Sequence, residues 1–165
     1  MDPERYHVIV DEEEQIATWF LFDLTGRITG YQQYRPDSMQ KKTNDPKDAR
    51  YYTYVPKMTD AMFGLETVKI DSDPVIIVEG VFKATKLHKL GYAAIAVLTC
   101  DPKRQRPFFR ILRQTRRLFA VGDPDSAGQK LVNRVKAGFC SVADLDEMSD
   151  ADVTKRVERY LTTKE

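Results

Sequence analysis

The chain has 165 residues, of which 42% are hydrophobic and 31% charged, a balance typical of a globular protein with enough apolar residues for a core. Its 26 basic and 25 acidic residues nearly cancel, so net charge alone neither favours nor excludes nucleic acid as a partner. The longest apolar runs are far shorter than the roughly 18 to 20 residues of a membrane-spanning helix, and the N-terminus is charged. We therefore expect a soluble, cytoplasmic protein with no membrane partner.

The first part of the chain is rich in aromatic and β-branched residues, which favour strands. The pattern predicts strands at residues 6–10, 17–23, 28–35 and 51–55, with a turn around Gly26. Residues 36–46 are polar and predict a mobile loop, and residues 59–65 predict a short helix ended at Gly64. We expect a small, mainly β subdomain over residues 1–67.

The second part, residues 68–165, alternates between strand and helix patterns. Strands are predicted at Val75–Val78, 93–98 and 117–121, and helices at 82–90, 108–114 and 126–136. This alternation predicts an α/β domain with a parallel, Rossmann-like sheet, completed by a C-terminal helix. Ligands of such sheets bind beyond the carboxyl ends of the strands.

Acidic residues follow two of these predicted strands. Glu79 and Gly80 come directly after the first, and Asp123 and Asp125 come directly after the third. Carboxylate oxygens that converge on one sheet edge suit Mg²⁺, which binds through one or two carboxylates together with substrate phosphates. Gly80 and Gly128 would let the backbone approach a phosphate closely. A lone Glu-Gly or Asp-x-Asp is commonly a turn or a helix cap, but the combination favours a metal site.

A basic segment without a single acid runs from Lys103 to Arg117. It is either a track for nucleic-acid phosphates or the solvated face of a helix. Five tyrosines of the first part are interleaved with Arg35, Lys47 and Arg50, and they are either stacking platforms for bases or half-buried sheet residues. These tyrosines are Tyr31, Tyr34, Tyr51, Tyr52 and Tyr54.

Three segments together resemble the TOPRIM domain that bacterial-type primases, topoisomerases and some nucleases share. They are residues 74–82 (PVIIVEGVF), 87–91 (LHKLG) and 121–130 (VGDPDSAGQK). The Asp-x-Asp-x-Ala-Gly-x-Lys ending looks most like the primase branch, and residues 22–31 are similar to the turn and strand that precede TOPRIM in primase cores. The resemblance covers about residues 18–136.

The resemblance implies a TOPRIM fold and a compact, phage-type primase core that synthesises RNA primers, located in the host cytoplasm if phage-encoded. It implies Mg²⁺ or Mn²⁺ as cofactor, and single-stranded DNA and ribonucleoside triphosphates as partners, with a replicative helicase or another replication protein as a further candidate. The implied catalytic residues are Glu79, Lys83, Asp123 and Asp125. The metal ligands would be Glu79, Asp123, Asp125 and Asp146, the cofactor-binding residues Gly80, Gly128 and Lys130, and the nucleic-acid contacts Lys103, Arg104, Arg106, Arg110, Arg113, Arg117, Arg35 and Arg50.

The sequence departs from the primase pattern at two places. Primases usually carry an aspartate three residues after the glycine of Glu-Gly, where this chain has Lys83. Their later acidic motif has no clean match, which leaves Asp144, Asp146 and Asp150 as candidates. A TOPRIM nuclease and a degenerate primase-like protein that binds DNA or a replication partner therefore stay open as alternatives.

Overall fold

The computed structural model describes residues 3–39, 45, 48–56 and 60–163. The chain divides into two compact units, Met1–Ala61 and Met62–Glu165, where the sequence-based division lies at 67/68. Much of the predicted loop at 36–46 lies outside the described residues, as do Lys47 and the start of the helix predicted at 59–65.

The first unit is a four-stranded antiparallel sheet in the order β1-β2-β3-β4. Its elements are α1 (Pro3–Tyr6), β1 (Ile9–Asp11), β2 (Ile16–Phe22), β3 (Ile28–Tyr34) and β4 (Tyr51–Tyr54). The prediction of a strand at 6–10 was wrong at its start, because Tyr6 ends a short helix and the positive φ of His7 (50°) separates that helix from β1. The strands predicted at 17–23, 28–35 and 51–55 are present with small changes at their ends.

The second unit is an α/β structure around a four-stranded parallel sheet in the order β6-β5-β7-β8. This confirms the predicted fold class. A 3-10 helix at Leu65–Thr67 precedes β5 (Val75–Val78), α2 (Val81–Lys89), β6 (Ala93–Ala96), α3 (Arg106–Leu112), β7 (Leu118–Gly122), α4 (Ser126–Val135), β8 (Gly138–Cys140) and α5 (Asp150–Thr162). The edge strand β8 was not predicted, since its three half-buried residues are too few for a strand pattern.

The continuous apolar run of β5 reflects burial on both faces of the sheet. All four of its residues are fully buried. Val75 and Ile77 belong to the core that includes Leu131 of α4 and Phe109 of α3. Because helices cover both faces of this strand, it carries no polar residue, and the first polar side chain is that of Glu79, directly after the strand.

The helix predicted at 59–65 was wrong for the described residues. Phe63 forms an antiparallel bridge with Ala96, and the backbone N–H of each donates to the other's carbonyl oxygen at 3.0 Å. Gly64 has a φ of 83°, and a Cβ at this position would lie 2.6 Å from the carbonyl oxygen of Ala94. Close packing against β6 therefore outweighs the local helical pattern.

The helices of the described residues include none with the length and apolar character needed to span a bilayer.

Candidate active site

Three carboxylates lie at the carboxyl ends of two neighbouring parallel strands. Glu79 follows β5, Asp123 and Asp125 follow β7, and β5 and β7 are hydrogen-bonded neighbours. We call these three residues the acidic edge. Burial raises the pKa of Glu79, and the negative charges of Asp123 and Asp125 raise it further, whereas the charge of Lys83 opposes the shift. The three carboxylates therefore act on one another, as their positions at the strand ends predict.

Lys83 places a positive charge in the acidic edge. Its ammonium donates a hydrogen bond to Oδ1 of Asp123 and lies 3.3 Å from Oδ1 of Asp144. The Lys83 side chain is only 13% exposed. Burial alone would lower the pKa of Lys83, but the hydrogen bond and the two carboxylate charges outweigh it and raise the pKa above its ordinary value. The lysine is therefore a charged, fixed member of the site.

α2 gives Lys83 this position. The helix begins at Val81, directly after Glu79 and Gly80, so Lys83 lies in the first turn, about one turn beyond Glu79. Its long, straight side chain can thus reach the end of β7, the next strand of the sheet.

Asp125 begins α4. Its Oδ1 accepts a hydrogen bond of 2.8 Å from the backbone N–H of Gly128, which makes it the N-cap of that helix. The N–H of Gly128 is therefore already satisfied by this carboxylate, and the predicted role of Gly128 in binding a phosphate stays a prediction. Gly128 is needed for close packing, because a Cβ there would lie 2.1 Å from the carbonyl oxygen of Asp123.

Gly80 differs from Gly128, since a Cβ built at Gly80 would meet nothing within 4 Å. Open space thus adjoins the N-terminus of α2 beside Glu79, where a ligand could approach the backbone. Lys130, the third residue predicted to bind the cofactor, lies exposed in α4.

The donor chemistry of the acidic edge suits a hard divalent cation, because every candidate ligand is a carboxylate oxygen. Within residues 3–39, 45, 48–56 and 60–163, however, no three His, Cys, Asp or Glu side chains form a group that could hold a metal ion. Oδ1 of Asp123 is already paired with Lys83. The acidic edge thus offers carboxylate oxygens of the kind that Mg²⁺ or Mn²⁺ binds, and further ligands would have to come from water or phosphate.

Asp144, rather than Asp146, completes the charge arrangement around Lys83. Asp146 is exposed, and its backbone carbonyl oxygen accepts a hydrogen bond of 3.4 Å from the Lys86 ammonium. Asp150 begins α5 and pairs with Lys86 at 3.5 Å and with Lys89 at 2.9 Å. Asp144 is thus the residue of the loop before α5 that pairs with Lys83, and the role of Asp146 as a metal ligand stays a prediction.

Structural contacts engage several cations of the basic segment 103–117. Lys103 pairs with Asp101 at 3.2 Å, and Arg117 pairs with Asp73 at 3.1 Å. Arg116 donates to the carbonyl oxygens of Lys69 and Ile70. Burial lowers the pKa of Arg113. Among the described residues, the exposed cations of this segment that have no hydrogen-bond or ion-pair partner are Arg104, Arg106, Arg110 and Arg113.

The tyrosines of the first unit pair across β3 and β4. Tyr31 and Tyr54 stack with their ring centroids 5.5 Å apart, and those of Tyr34 and Tyr51 lie 5.1 Å apart. Tyr51 and Tyr54 stay about half exposed, so stacking on bases stays a prediction. Arg35 and Arg50 are half-buried; Arg35 donates to the side chain of Gln33, and Arg50 donates to the carbonyl oxygen of Ser38.

Sequence reasoning missed the basic face of α5. Lys155, Arg156 and Arg159 share a groove with β8. The spacing of these residues by one and four positions indicates a basic helix face. The other wall of the groove is formed by β8, a strand that the sequence did not predict.

No protein-family model matches the chain, and no curated protein matches it in sequence. Solved structures match its fold. The catalytic core of the E. coli primase gives a TM-score of 0.65 at 14% identity, over 94% of this chain and 56% of that one. The primase fragment of the bacteriophage T7 primase-helicase gives 0.65 at 13%, over 96% and 69%, and a DnaG primase catalytic domain bound to single-stranded DNA gives 0.62 at 15%, over 92% and 57%.

The chain spans a little over half the length of the DnaG-type cores that it matches. At such low identity the likeness concerns the fold. It confirms the expected architecture, because the match extends over the antiparallel unit as well as the parallel one. The chain therefore has the TOPRIM-type fold of a primase catalytic core.

Proposed function

We propose that this chain is a primase-type nucleotidyl-transfer protein that binds single-stranded DNA and joins ribonucleotides at the acidic edge. The observation that carries the proposal is the meeting of Glu79, Asp123 and Lys83 at the carboxyl ends of β5 and β7, within a primase-core fold. This is the edge where open parallel sheets bind their ligands.

In this proposal Mg²⁺ or Mn²⁺, when bound at the acidic edge, would neutralise the charge of the reacting phosphates. Asp123 and Glu79 would hold it, and the raised pKa of Glu79 also suits this side chain to accept a proton from an attacking hydroxyl. Lys83 provides a second, permanent positive charge that stabilises phosphate oxygens without depending on a bound ion. Asp125 holds the start of α4 in place and thereby fixes the direction of the chain after Asp123.

We also propose that single-stranded DNA is the template and that a replication protein is a partner. A DnaG domain of the same fold is bound to single-stranded DNA. Primase domains of bacteriophage T7 gp4 with this fold, bound to an RNA/DNA hybrid, interact with the lagging-strand DNA polymerase. These neighbours support the proposal by analogy of fold.

The test is to incubate the purified chain with single-stranded DNA, labelled ribonucleotides and Mg²⁺ or Mn²⁺. New oligoribonucleotides that disappear in Asp123→Asn and Glu79→Gln would support primer synthesis. Shortened DNA in their place would support a TOPRIM nuclease, which uses the same acids. A matched control is Asp71→Asn, since this exposed aspartate of the same unit is not among the predicted site residues and its substitution should keep activity.

A second candidate is a non-catalytic DNA-binding protein. The ion pair between Lys83 and Asp123 favours it, because an ammonium at Asp123 competes with a divalent cation for the same oxygen. Neither polymerised nor shortened product, together with binding of single-stranded DNA that is unaffected by chelator, would select this function.

A further inference from the structure

A groove of about 560 Å³ lies between α5 and the edge strand β8 of the second unit. We call it the α5 groove. Phe139 and Cys140 of β8 form one wall, and three basic side chains and one aromatic side chain of α5 form the other. The α5 residues are Lys155, Arg156, Arg159 and Tyr160.

The cations of the α5 groove are not used by the fold. In the described part of the chain, the side chains of Lys155, Arg156 and Arg159 have no hydrogen-bond or ion-pair partner. Lys155 and Arg159 are four residues apart on one helix, a spacing at which like charges destabilise it. The groove's carboxylate, Asp152, accepts a hydrogen bond of 2.7 Å from Ser149 at the start of α5. An anionic ligand would relieve this concentration of positive charge.

The apolar wall gives the ligand a second feature. Phe139 and Tyr160 pack with ring centroids 5.4 Å apart, and Tyr160 packs on Phe119 at 4.8 Å. Because these rings support one another, they form a fixed aromatic surface beside the cations. A phosphate ion alone would use only the cations, whereas a nucleotide offers a phosphate to them and a flat base to the rings.

The α5 groove adjoins the acidic edge. Cys140 of β8 pairs with Gly122 of β7, which directly precedes Asp123. Burial raises the pKa of Cys140, and the charges of Asp125 and Asp123 raise it further. A phosphate-bearing ligand near the carboxylates needs positive charge to hold it there. Lys155, Arg156 and Arg159 of α5 supply three such charges beside β8, the strand that pairs with β7.

We propose that the α5 groove binds a nucleotide, either free or as a unit of a single strand, with its phosphate on Arg156 and Arg159 and its base against Phe139 and Tyr160. The proposal deepens the proposed function, on which the link to the acidic edge rests. It places a nucleotide site on α5, outside the basic segment 103–117 that the sequence indicated.

The test compares two double variants. The groove variant carries Arg156→Gln and Arg159→Gln, and the control variant carries Lys69→Gln and Lys136→Gln. Lys69 and Lys136 are exposed cations of the same unit outside the groove, so both variants lose the same net charge. ATP binding is measured by calorimetry in EDTA, and binding of a fluorescein-labelled 16-nucleotide dT strand by anisotropy over a range of salt. Thermal unfolding checks that both variants stay folded.

We expect the groove variant to bind at least about tenfold more weakly, and the control variant to lose less than about twofold. For the strand, the slope of log affinity against log salt should flatten by about 0.7 per lost phosphate contact. A loss confined to ATP would identify a free nucleotide, and a loss confined to the strand would identify nucleic acid.

Equal losses in the two variants, or none in the groove variant, would overturn the proposal. Where the groove variant loses ATP affinity, equal affinity of the wild type for ATP and inorganic tripolyphosphate would also overturn the proposal, because the base would then contribute nothing. The titrations contain neither template nor divalent metal. They therefore report on the groove whether or not the chain synthesises primers. A groove variant that binds both ATP and the strand as tightly as the wild type does would overturn this inference and leave the proposed function untouched.

Discussion

Replacing Lys83 by Met removes the cation from the acidic edge while keeping an unbranched side chain of similar length. The Lys83 side chain is 13% exposed and that of Asp123 is 20% exposed, so their ion pair is largely shielded from water. After the substitution, the acidic edge and Asp144 are left without the cation that balances them. Both the lost hydrogen bond and the unbalanced repulsion should destabilise the fold.

A hydrogen bond to a charged group contributes about 1.5–3 kcal/mol, and the lower burial cost of Met offsets part of its loss. We therefore expect Lys83→Met to lower the free energy of unfolding by about 2 kcal/mol, which is about 6 °C in Tm for a chain of this size. Lys89→Met is the matched control on the same helix, since Lys89 is 73% exposed in its 2.9 Å pair with Asp150. An exposed pair of this kind contributes about 0.2–1 kcal/mol.

Urea unfolding of Lys83→Met, Asp123→Asn and the double variant measures the coupling between the two side chains, which we expect to be about 1–2 kcal/mol. Calorimetric titration with Mn²⁺ measures the second consequence. Loss of a positive charge in the site should strengthen Mn²⁺ binding by on the order of tenfold. A stability loss no larger than that of Lys89→Met, with unchanged Mn²⁺ affinity, would refute the assignment of Lys83 as the resident cation.

Three further predictions concern the N-cap of α4, two glycines of the site and the hydrogen bond between Tyr92 and Glu158. Asp125→Ala should lower stability by about 1 kcal/mol in urea unfolding, whereas Asp125→Asn should retain most of the cap. Gly128→Ala should lower Tm markedly, because its Cβ would lie 2.1 Å from backbone, whereas Gly80→Ala should leave Tm unchanged. Burial and the hydrogen bond to Glu158 raise the pKa of Tyr92 to about 12 from 10.0, so its contribution to stability is complete below pH 10 and is lost as pH rises towards 12. Tyr92→Phe should therefore lose less stability than the wild type between pH 9 and 11.5.

The acidic edge could be predicted because it depends on short-range features. An apolar run followed at once by an acid predicts both a buried parallel strand and the edge at which its side chain lies. The alternation of strands and helices was enough to predict that Glu79 and Asp123 lie at the same edge of a parallel sheet. The partners of Lys83 could not be predicted in the same way. Its spacing from Glu79 indicated the pocket, but the choice of Asp144 over Asp146 depends on the path of an irregular loop.

Errors in the fold also have physical causes. The pattern at 59–65 is compatible with a helix, yet Phe63 gains two backbone hydrogen bonds to Ala96 and full burial by extending beside β6. β8 has only three residues, and its pairing with β7 stabilises a segment that has little strand pattern of its own. The α5 groove went unnoticed because one of its walls is this strand, so no single stretch of sequence contains it.

The arrangement of charge around the sheet edge would allow a nearly neutral chain to bind the polyanion that we propose as its partner. Asp123 and Asp144 are balanced locally by Lys83, and Asp150 is balanced by Lys86 and Lys89. These pairs leave the acidic edge far less repulsive to phosphate than its sequence suggests. Because the α5 cations have no such partners, their field is available to a ligand, and a chain with a net charge of +1 can still present a positive surface beside its carboxylates.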